Sequence, residues 1–363
     1  MNRHTDLIKK HQIVAFFAIT FAISWGLGFS YDALMKKGNF LVAPLVFVAT
    51  CGPALAGIIV TAASNAQPGQ GTRRPFWIAF FVAWVVSTIV FLANNLFINH
   101  AEFSIGMVVF IFVSVVPVVF VISMAYSRIP AVKLFLSSLI RLRGAWRWAL
   151  LALVLTPALV LLSCSVSSVL ARQHIAVHQF PATGLALIGL VVVKFFYQLF
   201  FFNATGEEVG WRGLALPKMQ SVTSPLVACL VLNLFWPLWH LFPWMAEGKP
   251  VFSLTYWGRT YLELLPATVI IGWLYNRSNG SILVAGITHA AANTVFAFFP
   301  NLDWPVYNWT AAVAALVMIL VDRMWKKLPA DHPAVCGSPQ PAARPSVTPL
   351  PTLAFDPSYR AQG

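Results

Sequence analysis

Residues 104–126 contain no charged side chain, and runs of this kind recur along the whole chain. A helix rises about 1.5 Å per residue, so about 20 apolar residues cross a hydrocarbon core roughly 30 Å thick. Ten such segments can be drawn: 13–35, 40–63, 76–98, 104–126, 146–171, 186–205, 223–245, 256–275, 281–299 and 305–325. They are continuous rather than alternating, which excludes a transmembrane β-barrel. Across 363 residues, 59% are hydrophobic and 10% charged, far too apolar for a soluble domain. The sequence predicts an all-α, polytopic membrane protein of about ten transmembrane helices.

The net charge of +13 raises the question of a nucleic-acid partner. Its distribution argues for the lipid bilayer instead. With the amino terminus inside, sixteen Lys and Arg residues fall on the inner side, against Lys36, Lys37, Arg172 and Lys249 outside. Basic residues concentrate on the cytoplasmic side of membrane proteins, so both termini are expected in the cytoplasm and no nucleic acid is expected. Residues 127–145 read as a basic interfacial helix on anionic lipid. Residues 326–363, rich in Pro, Ser and Ala, read as a disordered cytoplasmic tail. Cys51, Cys164, Cys229 and Cys336 form no CxxC, and the first three read as small core residues. No small-residue cleavage site follows the first apolar run, so no cleavable signal is expected.

Two carboxylates and a guanidinium interrupt the most informative segment. Gly206-Glu207-Glu208-Val209-Gly210-Trp211-Arg212 follows the aromatic run Phe195–Phe202. Ionisable groups at membrane depth are costly and mark function. Glu208 and Arg212, four apart, share a helix face and can neutralise each other. Glu207 points about 100° away and must find its partner on another helix or in water. Lys194 has no assignable role, and Arg259 with Glu263 reads as an interfacial salt bridge. Two further polar sites follow. Asn233, Trp236 and His240 recur at helical spacing, and His289 and Asn293 are four apart with only Ala between them. Turns near 221–224 and 276–280 place Glu207, His240 and His289 about 21, 27 and 15 Å from one end of their helices, close enough to meet near the midplane.

These residues resemble the motifs of the CPBP family, which comprises the type II CAAX prenyl endopeptidases and bacteriocin-processing or immunity-type membrane proteins. Glu207-Glu208-Val209-Gly210-Trp211-Arg212 is similar to its EExxxR motif, His240 to the histidine of FxxxH, and His289 with Asn293 to HxxxN. Trp236 stands where that motif has Phe, a departure expected to change packing more than chemistry. The resemblance covers about 186–297. It implies intramembrane endopeptidase activity on a membrane-associated peptide or protein: Glu207 and His240 activate a water, His289 and Asn293 stabilise the oxyanion, and Glu208 with Arg212 positions the motif helix. The expected division is 1–182 amino-terminal helices, 183–325 catalytic core, and 326–363 tail.

Alternatives stay open on the sequence alone. Two Glu and two His can ligate zinc, through Glu207, His240 and His289. Against this, no HExxH is present, and the resemblance favours a metal-free, glutamate-type mechanism without a cofactor. A non-catalytic immunity or binding protein of the same fold is the second reading. Short loops and a compact core point to a bacterial inner membrane, where CaaX processing is not expected.

Overall fold

The computed structural model describes residues 3–37, 43–65, 69–140, 142, 144–171 and 182–336. Among them there is no strand. The helices are α1 (Arg3–Lys10), α2 (Gln12–Met35), α3 (Leu45–Thr50), α4 (Gly52–Ser64), α5 (Arg74–Ile98), α6 (Ile105–Tyr126) and α7 (Pro130–Leu139). They continue with α8 (Trp146–Leu170), α9 (Gly184–Gln220), α10 (Pro225–Ala246), α11 (Leu254–Arg277), α12 (Ile282–Phe298), α13 (Trp304–Val321) and α14 (Pro333–Cys336). The protein is an all-α polytopic membrane protein.

Of the ten expected segments, seven are helices long and apolar enough to cross a membrane: α2, α5, α6, α8, α9, α10 and α13. The other three differ for separate reasons. The 40–63 segment breaks at Cys51 into α3 and α4. The 256–275 segment is one helix of 24 residues, but it carries Arg259, Glu263 and Arg277. The 281–299 segment forms 17 helical residues, about 25 Å at 1.5 Å each.

The amino-terminal helices and the 183–325 region share one hydrophobic core. Phe16 and Phe17 of α2, Ala54 of α4 and Leu159 of α8 belong to the same buried cluster as Trp211, Trp236 and Ala290. Phe17 stacks on Phe235 at 4.0 Å, and Phe16 meets Trp211 edge-on at 5.4 Å. The motif-bearing segment is therefore walled by helices that precede it in sequence.

The expected interfacial stretch forms α7, whose Val132, Phe135 and Leu136 are buried against the bundle. Phe135 reaches the glycine faces of α4 and α9, at Gly57 and Gly213. Arg141 and Arg143 lie outside the described residues. The expected tail also differs over its first part. Residues 326–336 turn back onto the helix ends, and residues 337–363 lie outside the described residues. Gln220 Nε2 donates to Ala334 O at 3.2 Å and to Asn276 Oδ1 at 3.1 Å. Gly280, at φ +78, lies so close to Pro333 that an added Cβ would stand 3.1 Å from its carbonyl oxygen.

Candidate active site

The motif helix α9 is not α-helical throughout. Leu199–Glu208 and Trp211–Ala215 are π-helical, with i to i+5 hydrogen bonding. Local chemistry accounts for part of this. The Thr205 hydroxyl donates to the carbonyl of Phe200, five residues back. Pro217 offers no N–H to Gly213, and its ring crowds that carbonyl, which loosens the preceding turn.

Glycines let neighbouring helices approach this widened helix closely. A Cβ on Gly210 would stand 2.4 Å from the Pro53 carbonyl oxygen, and one on Gly206 would stand 3.0 Å from that of Thr50. On the opposite side, Gly286 of α12 meets Ala204, where an added Cβ would fall 2.5 Å from the Ala204 Cβ. The carboxylates are held between α3–α4 and α12 by backbone contact rather than by long side chains.

Glu208 and Arg212 are both 0% exposed and pair at 2.9 Å, as their spacing predicts. The same Glu208 oxygen, Oε1, accepts a hydrogen bond from His289 Nδ1 at 2.8 Å. Arg212 also lies over the Trp236 ring, its Cζ 4.6 Å from the centroid. Among the described residues, Glu208 Oε2 and Arg212 Nε and Nη2 have no protein hydrogen-bond partner. The ring face of Trp236 thus supplies part of the guanidinium's environment.

Glu207 is 5% exposed and finds its partners on α10. Trp236 Nε1 donates to its Oε2 at 2.7 Å. His240 Nε2 stands 4.0 Å from the same oxygen. His240 lies at a break in α10, between Pro225–Trp239 and Leu241–Ala246. Pro243 causes that break: it has no N–H for the Trp239 carbonyl and its ring crowds it. The freed carbonyl accepts Trp25 Nε1 at 3.3 Å. His240 Nδ1 bonds to the Trp236 carbonyl at 2.9 Å. A carbonyl only accepts, so Nδ1 carries a proton; in the neutral ring Nε2 is then the acceptor that faces Glu207. Trp244 stacks on the imidazole at 4.8 Å and 18°.

The structure therefore brings together Glu207, Glu208, Arg212, Trp236, His240 and His289. Asn293 follows His289 by one turn on α12 and is half-buried; among the described residues its amide has no protein hydrogen-bond partner. Asn233 is used differently: its Nδ2 donates to Tyr261 O at 2.9 Å, and its Oδ1 accepts from Thr268 Oγ1 at 2.9 Å. It ties α10 to α11. Arg259 and Glu263 pair at 2.5 Å on the exposed side of α11, and Lys194 lies over the Tyr197 ring at 5.5 Å.

One expectation changes. Trp236 was expected to change packing more than chemistry, yet its indole N–H bonds to Glu207, which a Phe ring cannot do. Among the described residues no group of three His, Cys, Asp or Glu side chains stands close enough to hold a metal. The sequence reading missed Trp244, although Pro243 marks the break that brings it onto His240.

Residues 187–295 match the family model described as Type II CAAX prenyl endopeptidase Rce1-like. CAAX prenyl protease 2 of Methanococcus maripaludis is 32% identical over 146 residues, covering 39% of this chain and 52% of that protein. The chain thus spans about half the length of that curated relative. The matched region holds every motif residue from Glu207 to Asn293. Over that region the chain is similar to the type II CAAX prenyl endopeptidases.

Proposed function

We propose that the protein is an intramembrane endopeptidase of glutamate type, hydrolysing a peptide bond in a membrane-associated peptide or protein. The supporting observation is the 4.0 Å separation of Glu207 Oε2 and His240 Nε2. Both face each other as acceptors, an arrangement that one water satisfies by donating a hydrogen to each. Such a water keeps its lone pairs for a substrate carbonyl. Glu207 takes its proton as the oxygen adds to the carbonyl carbon. Asn293 Nδ2 donates to the oxyanion that forms, and His289 joins it through Nε2 only as an imidazolium, with Nδ1 still donating to Glu208. The C–N bond then breaks, and the proton held by Glu207 passes to the leaving amine, with His240 keeping the water site oriented. Glu208 and Arg212 hold the motif helix and His289. The basic helix ends, with both termini, face the cytoplasm of a bacterial inner membrane.

The test uses purified full-length protein in nanodiscs with a mixture of short synthetic peptides, cleavage being read by mass spectrometry. Glu207→Gln keeps the side-chain shape and should lose about 10²–10⁴-fold in turnover while still folding. His240→Ala should lose a similar amount, and the double variant little more, because the two act on one water. Wild-type turnover in Glu207→Gln would sink this mechanism.

A further inference from the structure

A cavity of about 410 Å³ lies beside α12, between α8, α10, α11, α12 and α13. Its size falls in the range of small-ligand sites. It shares walls with the candidate active site at two places. Thr288 and Ala292, which line it, each directly precede a motif residue, His289 and Asn293. Trp244, on another wall, is the ring stacked on His240. The cavity follows α11 from Tyr256 to Ile271, roughly 22 Å at 1.5 Å per residue.

Its chemistry is graded along that length. The mouth, at the end of the bundle bearing the 247–253 turn, carries Lys249, Arg259 and Glu263. The deep end is apolar, formed by Ala267, Ile270 and Ile271 with Ala292. An acyl chain would suit the deep end alone. Two residues on α13 favour a different occupant: Tyr307 and Asn308 line the cavity, and among the described residues neither the Tyr307 hydroxyl nor the Asn308 amide has a protein hydrogen-bond partner. A peptide backbone supplies donors and acceptors for such groups, and a hydrocarbon tail does not.

We propose that this cavity is a side-chain subsite for an extended peptide. The peptide enters from the 247–253 end, seats an aliphatic side chain next to the scissile bond on the Ala267–Ile270 floor, and bonds through its backbone to Tyr307 and Asn308. The proposal rests on the endopeptidase reading, since it places the subsite beside that reaction centre.

Ala267→Phe fills the floor and Leu264→Ala enlarges it. Full-length protein in nanodiscs is given short synthetic peptides in which each position is varied through Gly, Ala, Leu, Ile, Phe and Trp. Ala267→Phe should lose about tenfold or more in cleavage of peptides with Leu, Ile or Phe at one fixed position, and keep those with Gly or Ala there. Leu264→Ala should gain Phe and Trp at that same position, which keeps the test intact if Ala267→Phe fails to fold. Unchanged residue preference in both variants would overturn the subsite. So would unchanged preference together with loss of a co-purifying lipid from Ala267→Phe in native mass spectrometry, which would make this a lipid cavity. Cleavage of no peptide by wild-type protein would instead overturn the endopeptidase reading, and the subsite with it.

Discussion

Trp236 and His240 are joined twice over: the Trp236 carbonyl accepts His240 Nδ1 at 2.9 Å, and the Trp236 indole holds at 2.7 Å the Glu207 oxygen that His240 Nε2 faces. One residue thereby orients both groups that bracket the proposed water. Trp236→Phe keeps an aromatic ring at this position and removes the indole N–H together with one of the two fused rings. A hydrogen bond to a charged group is worth about 1.5–3 kcal/mol, so kcat should fall by about one to two powers of ten with KM nearly unchanged. The measurement is steady-state cleavage of one peptide that wild-type protein cuts; equal kcat in both proteins would remove the indole from the mechanism.

Arg212→Ala leaves Glu208 buried with only His289 against it. Removing one partner of a buried pair costs about 3–5 kcal/mol. The expected outcome is a large fall in folded yield and in the midpoint of thermal unfolding in detergent. Wild-type stability would show that Glu208 and Arg212 do not neutralise each other.

Gly210→Ala tests the close approach of α9 to α4. The new methyl would stand 2.4 Å from the Pro53 carbonyl oxygen, and that backbone cannot rotate aside. Overpacking of this kind costs about 1–3 kcal/mol. Gly258→Ala, where an added Cβ meets nothing within 4 Å, should be neutral and serves as the control.

The two asparagines should separate by phenotype. Asn293→Ala should lower turnover about 10²–10³-fold, the scale of one oxyanion donor, without loss of stability. Asn233→Ala breaks the tie to Tyr261 and Thr268 and should destabilise by about 1–3 kcal/mol. Matched unfolding and cleavage assays decide; a stability loss in Asn293→Ala equal to that in Asn233→Ala would make both structural.

His332 gives the docked 326–336 segment a pH dependence. Burial lowers its pKa below the ordinary 6.5, partly opposed by Asp331. Its Nδ1 accepts the Ala334 N–H at 3.1 Å, which requires the unprotonated nitrogen. A histidine held neutral when folded contributes fully above pH 6.5, and that contribution is lost as pH falls below it. Hydrogen-exchange protection of residues 332–336 should therefore decline below pH 6.5, and His332→Gln should abolish the change. PH-independent protection in wild-type protein would contradict this.

Helix spans and polar spacing were legible because each rests on local periodicity. The four-residue step from Glu208 to Arg212 predicts their contact, and the depths of Glu207, His240 and His289 predict that they meet. What was not legible depends on which atoms face each other. Spacing alone does not reveal that His289 bonds to Glu208, or that the extra ring nitrogen of Trp236 reaches Glu207. The break at His240 was readable from Pro243, since a proline four residues after a carbonyl disrupts the helix there. The π-helical stretch Leu199–Glu208 had no such marker, because Gly206 and Thr205 are equally compatible with an α-helix.

Those π-helical stretches make the site sensitive to residue count as well as residue identity. Between Leu199 and Glu208 the backbone closes each turn over one more residue than an α-helix does. Removing a single residue from 199–204 would let the segment relax to the α form. It would rotate everything upstream by about 100° relative to the carboxylates while leaving every motif residue in the sequence. The aromatic run Phe195–Phe202 would then present the wrong edge to α5 and α6, or the carboxylates would leave α10 and α12. A one-codon deletion in an apolar stretch outside the motifs would thereby dismantle the candidate site, and a scan of substitutions would never reveal it.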